Sequence, residues 1–458
     1  MNHSLHHSPP PNNGVAGLIL PPDHYHQLTI ARSAAQMRAY LAAGLGAPSN
    51  DGTKPPVCHL LDMKYAPNEQ CTLLYQWGDQ LWIGLLPWAE APAQNASGAA
   101  HAYHLAPLNL WLYPFPYDPA LPALPTVLDS SALTAILRTC LPVDQWGGMA
   151  LVRANATPLR YRPGKRCTVQ IDLLLRQPNR GALARQRLYG KLYHDADKAA
   201  AVYDEMNLLT TAAAGRALTL ATAVAFVPTL NLVLQAPVAG QPLDLLLRYA
   251  TGDSIAAAAA VTRAAQALAT LHNLAVTTER LRLGTNDVSK LSRRVAKVAT
   301  VAPSLGEAMM ALAQQLAQVA VHLPTWGATT AIGHGDCKPS QFLLNTEQTA
   351  LLDFDHCGMA DPAADVALFL ATLRQGRVRQ QTTARRQRTV NGYGDDTLST
   401  VFYRAYCAAT DVSPHFAQRV AWYEALALLR KAWRSFARSP WSPLPALLVA
   451  EGDSALHR

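Results

Sequence analysis

The sequence predicts an α+β protein in which strands and helices are segregated along the chain. Three observations carry that expectation. Short apolar runs separated by turn residues recur between about residue 50 and residue 240. Beyond 241 helical patterns take over, from the Ala-rich run at 255–271 to an aromatic-rich stretch at 398–450. One β-hairpin at 342–352 interrupts those helices and ends in closely spaced acids. With 458 residues, half of them hydrophobic, the chain can bury more than one core, and two or three domains are expected.

Residues 1–30 are rich in Pro, His and Asn and read as a polar, mobile tail without the apolar core of a signal peptide. A helical pattern runs from Leu28 to Leu45 and stops at the breaker-rich stretch APSNDGTKPP. An internal repeat follows. Lys64-Tyr65-Ala66-Pro67, with Cys71-Thr72, lines up with Arg160-Tyr161-Arg162-Pro163, with Cys167-Thr168. Farther on, LWIGLL (81–86) lines up with RLYGKL (187–192), setting Gly84 against Gly190 and Leu85 against Lys191. A coincidence over so few residues is the competing explanation. Between the copies lie a strand, a proline-rich connector, a short helix from Ser130 to Leu141 and a linker at 142–150.

The second copy begins near Met149. Its strand candidates are 159–161, 168–173 and 187–193, and Arg162-Pro163-Gly164-Lys165-Arg166 is the turn between the first two. A basic turn around Gly164 and Lys165 can cover phosphates with backbone N–H groups and charge, although an ordinary hairpin fits the same residues. Lys191 stands in an apolar β-run, where an ammonium needs an anionic partner or a route to solvent. A helix from Asp197 to Leu209 follows, then a buried strand at 231–235 and a hinge-like segment at 236–243. Helical patterns at 288–299 and 305–322 precede the hairpin.

The hairpin is the most informative stretch. His334-Gly335-Asp336 precedes it, Gln341 opens its first strand, and Asp353-Phe354-Asp355 closes its second. Antiparallel pairing carries Gln341 and Asp353 to one edge, with Asp336 just upstream. Carboxylates converging with an amide oxygen make a hard-oxygen site suited to Mg²⁺. A carboxylate left free of the metal can accept a proton from a hydroxyl. Asp361-Pro362 then starts a helix, with the acid as cap and Pro in the first turn.

These motifs resemble the aminoglycoside phosphotransferase and choline-kinase-like family, whose pattern is H-G-D-x-x-x-x-N, a hairpin, a D-F or D-W pair and a D-P-x-x-D helix start. His334-Gly335-Asp336, Asp353-Phe354 and Asp361-Pro362-Ala363-Ala364-Asp365 match, over a resemblance spanning about residues 150 to 440. Gln341 departs from the family's Asn, as it does in enzymes resembling maltokinase. The resemblance implies a bilobal protein-kinase-like fold with an extra β-containing N-terminal region. Its parts would be 31–148 as a relative of the N-lobe without its lysine, 149–240 as the N-lobe, and 241–458 as a helical C-lobe.

The resemblance also implies ATP-dependent phosphorylation of a hydroxyl on a small molecule such as a sugar, aminoglycoside or amino alcohol. Asp336 would be the catalytic base. Lys191, paired with Glu205, would hold the nucleotide phosphates, with Gly164 and Lys165 beside them. Asp353, Gln341 and, after them, Asp355 would hold Mg²⁺. His334 and Asp365 would brace the loop, and the 286–323 helices would help to form the acceptor pocket. Two rivals stand beside this reading. Gln341 and the repeated region favour a pseudokinase, whereas a protein kinase lacks its A-P-E segment after Asp353 here.

Composition narrows the partners. The net charge of +8 comes without the aromatic–basic interleaving of a nucleic-acid site. No apolar run is long and uncharged enough to span a membrane. Seven cysteines without compact spacing suggest a reduced, cytoplasmic setting. The basic run Arg374–Arg388 reads as a solvated loop or, second, as a contact for an anion. The C-terminal aromatics read as core, while Glu424, Arg430, Lys431 and Arg434 are candidates for the acceptor site.

Overall fold

The structure, a computed structural model, describes residues 22–45, 56–88, 101–141, 148–178, 181–249, 254–326, 329–383 and 396–458. Two helices come first, α1 (Pro22–Ala31) and α2 (Ala34–Leu45). Five strands follow: β1 (Cys58–Ala66), β2 (Gln70–Trp77), β3 (Gln80–Pro87), β4 (Tyr103–Leu105) and β5 (Leu110–Pro114). Helix α1 lies inside the stretch expected to be a tail; residues 1–21 fall outside the described residues. Leu28 and Ala31 are fully buried and Ile30 nearly so, in a core shared with β1 and β2. Burying a Leu or Ile contributes about 1.5–3 kcal/mol, enough to order a turn whose polar residues argue against it.

Helices α3 (Leu124–Leu128) and α4 (Ser130–Cys140) lead to a second set of strands. These are β6 (Ala150–Arg162), β7 (Arg166–Arg176) and β8 (Leu183–Tyr193), then helix α5 (Ala196–Ala212), β9 (Thr219–Leu220), β10 (Ala223–Val227) and β11 (Leu232–Gln235). Asp129 caps α4 by accepting the Ala132 N–H at 2.8 Å, and Asp195 caps α5 by accepting the Lys198 N–H at 3.0 Å. Strand β8 begins four residues before the expected 187, because Leu183 to Arg187 pair with Arg176 to Asp172.

The two sheets have the same strand order, β1-β2-β3-β5-β4 and β6-β7-β8-β11-β10. Their registers match as well. Tyr65 faces Cys71 as Tyr161 faces Cys167, and Leu73 faces Gly84 as Val169 faces Gly190. Gly84 and Gly190 are needed for close approach: a Cβ would sit about 3.0 Å from Tyr75 in the first sheet and from Leu232 and Val169 in the second. Each sheet also closes its last hairpin through a 3₁₀ turn and an αL asparagine, Asn109 (φ 46°) and Asn231 (φ 48°).

The remainder is mainly helical: β12 (Gln241–Pro242), α6 (Leu243–Tyr249), α7 (Ser254–His272), β13 (Leu281–Arg282), α8 (Gly284–Ala299), α9 (Pro303–Ala320) and β14 (Ala331–Gly333). The hairpin strands β15 (Phe342–Leu344) and β16 (Thr349–Leu351) come next, then β17 (Gly358–Ala360), α10 (Ala363–Thr383), α11 (Asp396–Ala409), α12 (Phe416–Arg438) and α13 (Leu444–Leu456). One core joins the first sheet to α8, α9, α12 and α13; another joins α5, α7, α10 and α11 around the hairpin. The basic run is no loop as far as Thr383. Its first cations belong to α10, where Arg374 bonds Glu424 at 3.0 Å and Glu451 at 3.1 Å, and Arg377 bonds Glu451 at 3.0 Å. Residues 384–388 fall outside the described residues.

Candidate active site

The loop after β14 is braced from below. Asp365, in the first turn of α10, accepts the N–H of His334 at 2.6 Å and of Gly335 at 2.8 Å. Burial pushes its carboxyl up, but His272, with a ring nitrogen 3.3 Å away, outweighs that and holds it down at about 2. The His334 ring donates from Nε2 to the Leu352 carbonyl at 2.8 Å and accepts the Asp336 N–H at Nδ1, 3.2 Å. Both nitrogens are thereby used within the loop. Gly335 has φ 76°, and a Cβ there would collide with the Arg282 guanidinium and the His356 carbonyl.

The hairpin brings its acids together. Leu352 N–H bonds the Gln341 carbonyl at 2.9 Å, which sets Gln341 beside Asp353. The Gln341 Nε2 donates to Asp353 Oδ2 at 3.1 Å and to Asp336 Oδ2 at 3.3 Å. Lys338 bonds the same Asp336 oxygen. Asp353 has φ 71°, an αL conformation that costs a non-glycine residue about 1–3 kcal/mol and persists only where its surroundings hold it. Burial raises the Asp353 carboxyl, yet Lys191 and Arg166 overcome this and hold it well below the usual carboxylate range. Asp336 is also lowered, because Lys338 outweighs its burial.

Lys191 meets both hairpin acids, Asp353 Oδ1 at 2.6 Å and Asp355 Oδ1 at 3.0 Å. It does not meet Glu205. Arg280, just before β13, takes that carboxylate instead at 3.6 Å, while the two acids nearer to Lys191 hold the ammonium. Asp355 is fully buried, and its oxygens receive Arg166, Lys191 and, at 2.6 Å, the Tyr193 hydroxyl. It is a junction for protein cations, a poor second metal ligand. Arg166, Arg280 and Tyr193 went unassigned in the sequence; the one local signal was the basic turn that ends at Arg166.

That turn also differs from expectation. Gly164 N–H donates to Asp118 Oδ2 at 2.7 Å, so this donor is used by the connector before α3 and is not turned to a phosphate. Tyr161 donates to the same oxygen at 2.6 Å. Lys165 has cations for neighbours: burial first, then Lys64, Arg162, Arg434 and Arg294, lower it to about 8. Glu424 faces Arg374 and Arg458 and is no acceptor-site residue, whereas Arg430, Lys431 and Arg434 line a cavity with Asp336. A larger cavity, about 430 Å³, lies between α1, β1 and the end of α12, and none of the hairpin acids lines it.

Among the described residues no three His, Cys, Asp or Glu side chains form a metal cage. Mg²⁺ does not require one, since it is commonly held by one or two carboxylates together with phosphates. Asp353, with its φ fixed and its carboxyl ionised, and the carboxamide of Gln341 fit that chemistry.

A two-lobed fold with a lysine strand above and a braced H-G-D loop and acid-bearing hairpin below defines a phosphotransferase architecture. Residues 175–403 match the phosphotransferase enzyme family, and the chain belongs to that family. Solved structures to which it is similar include a choline kinase from Cryptosporidium parvum (11% identity, 71% of this chain and 94% of that one, TM-score 0.47). A putative fructosamine-3-kinase from Thermobifida fusca is similar at 13% identity over 71% and 99%, with a TM-score of 0.45. An aminoglycoside phosphotransferase from Streptomyces rimosus is similar at 21% identity over 65% and 98%, with a TM-score of 0.37. No curated protein sequence matches. No helix among the described residues is long and apolar enough to cross a membrane.

Proposed function

We propose that this chain is an ATP-dependent phosphotransferase acting on a hydroxyl of a small molecule. The observation that carries the reading is the hydrogen-bonded chain that runs from Lys191 to Asp353, on to Gln341 and then to Asp336 at the end of the hairpin. Lys191 and Arg166 supply positive charge for the nucleotide phosphates. Asp353 and Gln341 would hold Mg²⁺, whose chemistry when bound is to neutralise charge on the phosphate oxygens. Asp336 orients the acceptor hydroxyl and takes its proton. The hydroxyl oxygen bonds to the γ-phosphorus, the bond from that phosphorus to the bridging oxygen breaks, and ADP leaves with the electron pair. Lys338 keeps Asp336 ionised beforehand.

We propose further that residues 31–148 are a copy of the lobe at 149–240 that lost its nucleotide role, because Leu85 stands where the second sheet has Lys191. A pseudokinase remains the second reading, favoured by the Gln341 Nε2, which donates to both acids. The deciding experiment is ATP turnover over a panel of sugars, amino sugars, amino alcohols and their acidic derivatives. Asp336→Asn should lower kcat by about 10²-fold with nucleotide binding intact. Near-normal turnover in that variant would overturn the base assignment, and absence of Mg²⁺-dependent turnover in the wild type would favour the pseudokinase.

A further inference from the structure

The cavity beside Asp336 is walled by cations. Arg282 lines it together with Arg430, Lys431 and Arg434 of α12. Arg430 and Arg434 are four residues apart and so share one stripe of the helix. The space is narrow, about 30 Å³, room for little more than a charged end group. His356, also in the wall, is pushed down by burial to about 3 and contributes no charge at neutral pH.

These cations are poorly matched by acids. Lys431 donates to Thr372 Oγ1 at 2.9 Å and Gln375 Oε1 at 3.2 Å, both neutral. Arg430 and Arg282 share one carboxylate, Asp287, at 3.8 and 3.9 Å. Among the described residues no carboxylate lies within 4.0 Å of Arg434. Asp336 is already engaged by Lys338. The contrast with Arg374, which has Glu424 and Glu451, shows how this chain pairs an arginine that serves structure. Confining like charges without counter-charge is costly, and the cost falls when an anion enters. Burial, then Arg434 and Lys338, lower Lys431 to about 7. Lys165 and Lys64 extend the same field to the β6–β7 turn and the first sheet.

We infer that the phosphate acceptor is an anion, a hydroxyl compound of sugar or polyol type carrying a carboxylate or phosphate, whose charged group is held by Arg430, Lys431 and Arg434 while its hydroxyl meets Asp336. The N-terminal sheet, through Lys64, adds to the field that draws it in. This inference rests on the phosphotransferase reading for the role of Asp336, but binding of the anion does not.

The test is calorimetric titration of the full chain, with Mg²⁺ and a non-hydrolysable ATP analogue present. The probes are a hexose, its 6-phosphate, the matching hexuronate and the matching hexosamine. One or both anionic hexoses should bind at least about 10-fold more tightly than the neutral one, and more weakly at high salt. Which of the two binds separates a phosphate site from a carboxylate site. Arg434→Gln, at an exposed position that leaves the fold intact, and Lys431→Gln should each weaken that binding about 10-fold and leave the affinity for the ATP analogue unchanged. Equal or tighter binding of the neutral or cationic hexose, no binding of either anion, or an equal loss of nucleotide affinity in both variants would overturn the inference. Salt-sensitive anion binding without turnover would count against the phosphotransferase reading and leave the anion site standing.

Discussion

Asp118→Ala tests whether the connector between the two sheets governs the turn above the site. Asp118 is buried and accepts three hydrogen bonds: from Ala120 N–H at 2.9 Å, Tyr161 hydroxyl at 2.6 Å and Gly164 N–H at 2.7 Å. A hydrogen bond to a charged group contributes about 1.5–3 kcal/mol net. Gly164 is exposed, so its N–H recovers a water and its bond falls at the low end; the hydroxyl of half-buried Tyr161 is less easily resolvated. The three bonds share one carboxylate and are not additive, so we expect a loss of about 2–4 kcal/mol in stability. Tyr161→Phe, which removes one donor, should cost about 2 kcal/mol.

The same substitution should reach the chemistry. Arg166 ends the turn that Asp118 holds, and it bonds Asp355 and stands 3.6 Å from Asp353. A loosened turn displaces that guanidinium, so the KM for nucleotide should rise several-fold with a smaller change in kcat. Urea unfolding and nucleotide titration of the two variants measure both effects. A stability loss below about 0.5 kcal/mol with unchanged nucleotide affinity would refute the reasoning, because it would mean that the turn is held by its own hairpin.

Three further outcomes are expected. Gln341→Asn should raise the Mg²⁺ concentration needed for ATP binding, because a shorter side chain withdraws the amide oxygen by about 1.5 Å from a metal that demands ligands near 2.1 Å, and Gln341→Ala should raise it further; equal Mg²⁺ dependence in all three proteins would remove Gln341 from the ligand set. Arg419→Ala should destabilise the C-lobe by about 3–5 kcal/mol in urea unfolding, because it strands Asp361, bonded to it at 2.8 Å in the core; a loss below 1 kcal/mol would mean that Asp361 is resolvated. Equilibrium dialysis should give one ATP per chain, abolished by Lys191→Met, and a second equivalent surviving that substitution would place a nucleotide on the first sheet.

Much of the hairpin site was legible because its geometry is local. A short turn forces Gln341 and Asp353 together, and helix-start chemetry at Asp361-Pro362 sets Asp365 beneath the loop. Partners supplied from afar were illegible. Glu205 and Lys191 stand at spacings that suit a pair, yet Arg280, from a segment between α7 and α8, competes for the glutamate. Gly164 reads as a phosphate turn until Asp118, 46 residues earlier, is folded against it. Arg374 and Arg377 read as solvated until α13 brings Glu451. In each case local pattern gives the charge, and tertiary packing decides its counter-charge.

The matched sheets show how one β-architecture can carry two different surfaces. In the second sheet Thr168 and Lys191 share a face, and Lys191 reaches from it to Asp353 and Asp355. The corresponding face of the first sheet carries Thr72 and Leu85, with Ile83 and Tyr113 alongside. Leu85 packs there in a small apolar cluster with Leu74, Ile83 and Tyr113, and Tyr161 of the second sheet packs against the same cluster. A residue on one sheet therefore covers the face of the other that would correspond to the lysine face. Tyr161 also donates to Asp118, so one side chain seals the first sheet and fixes the turn over the second. The opposite face of the first sheet, with Tyr65, Cys71, Leu73 and Tyr75, is committed to the core shared with α12. Among the described residues both faces of the first sheet thus carry packed side chains, and at its rim Lys64 lies within the field of Lys165.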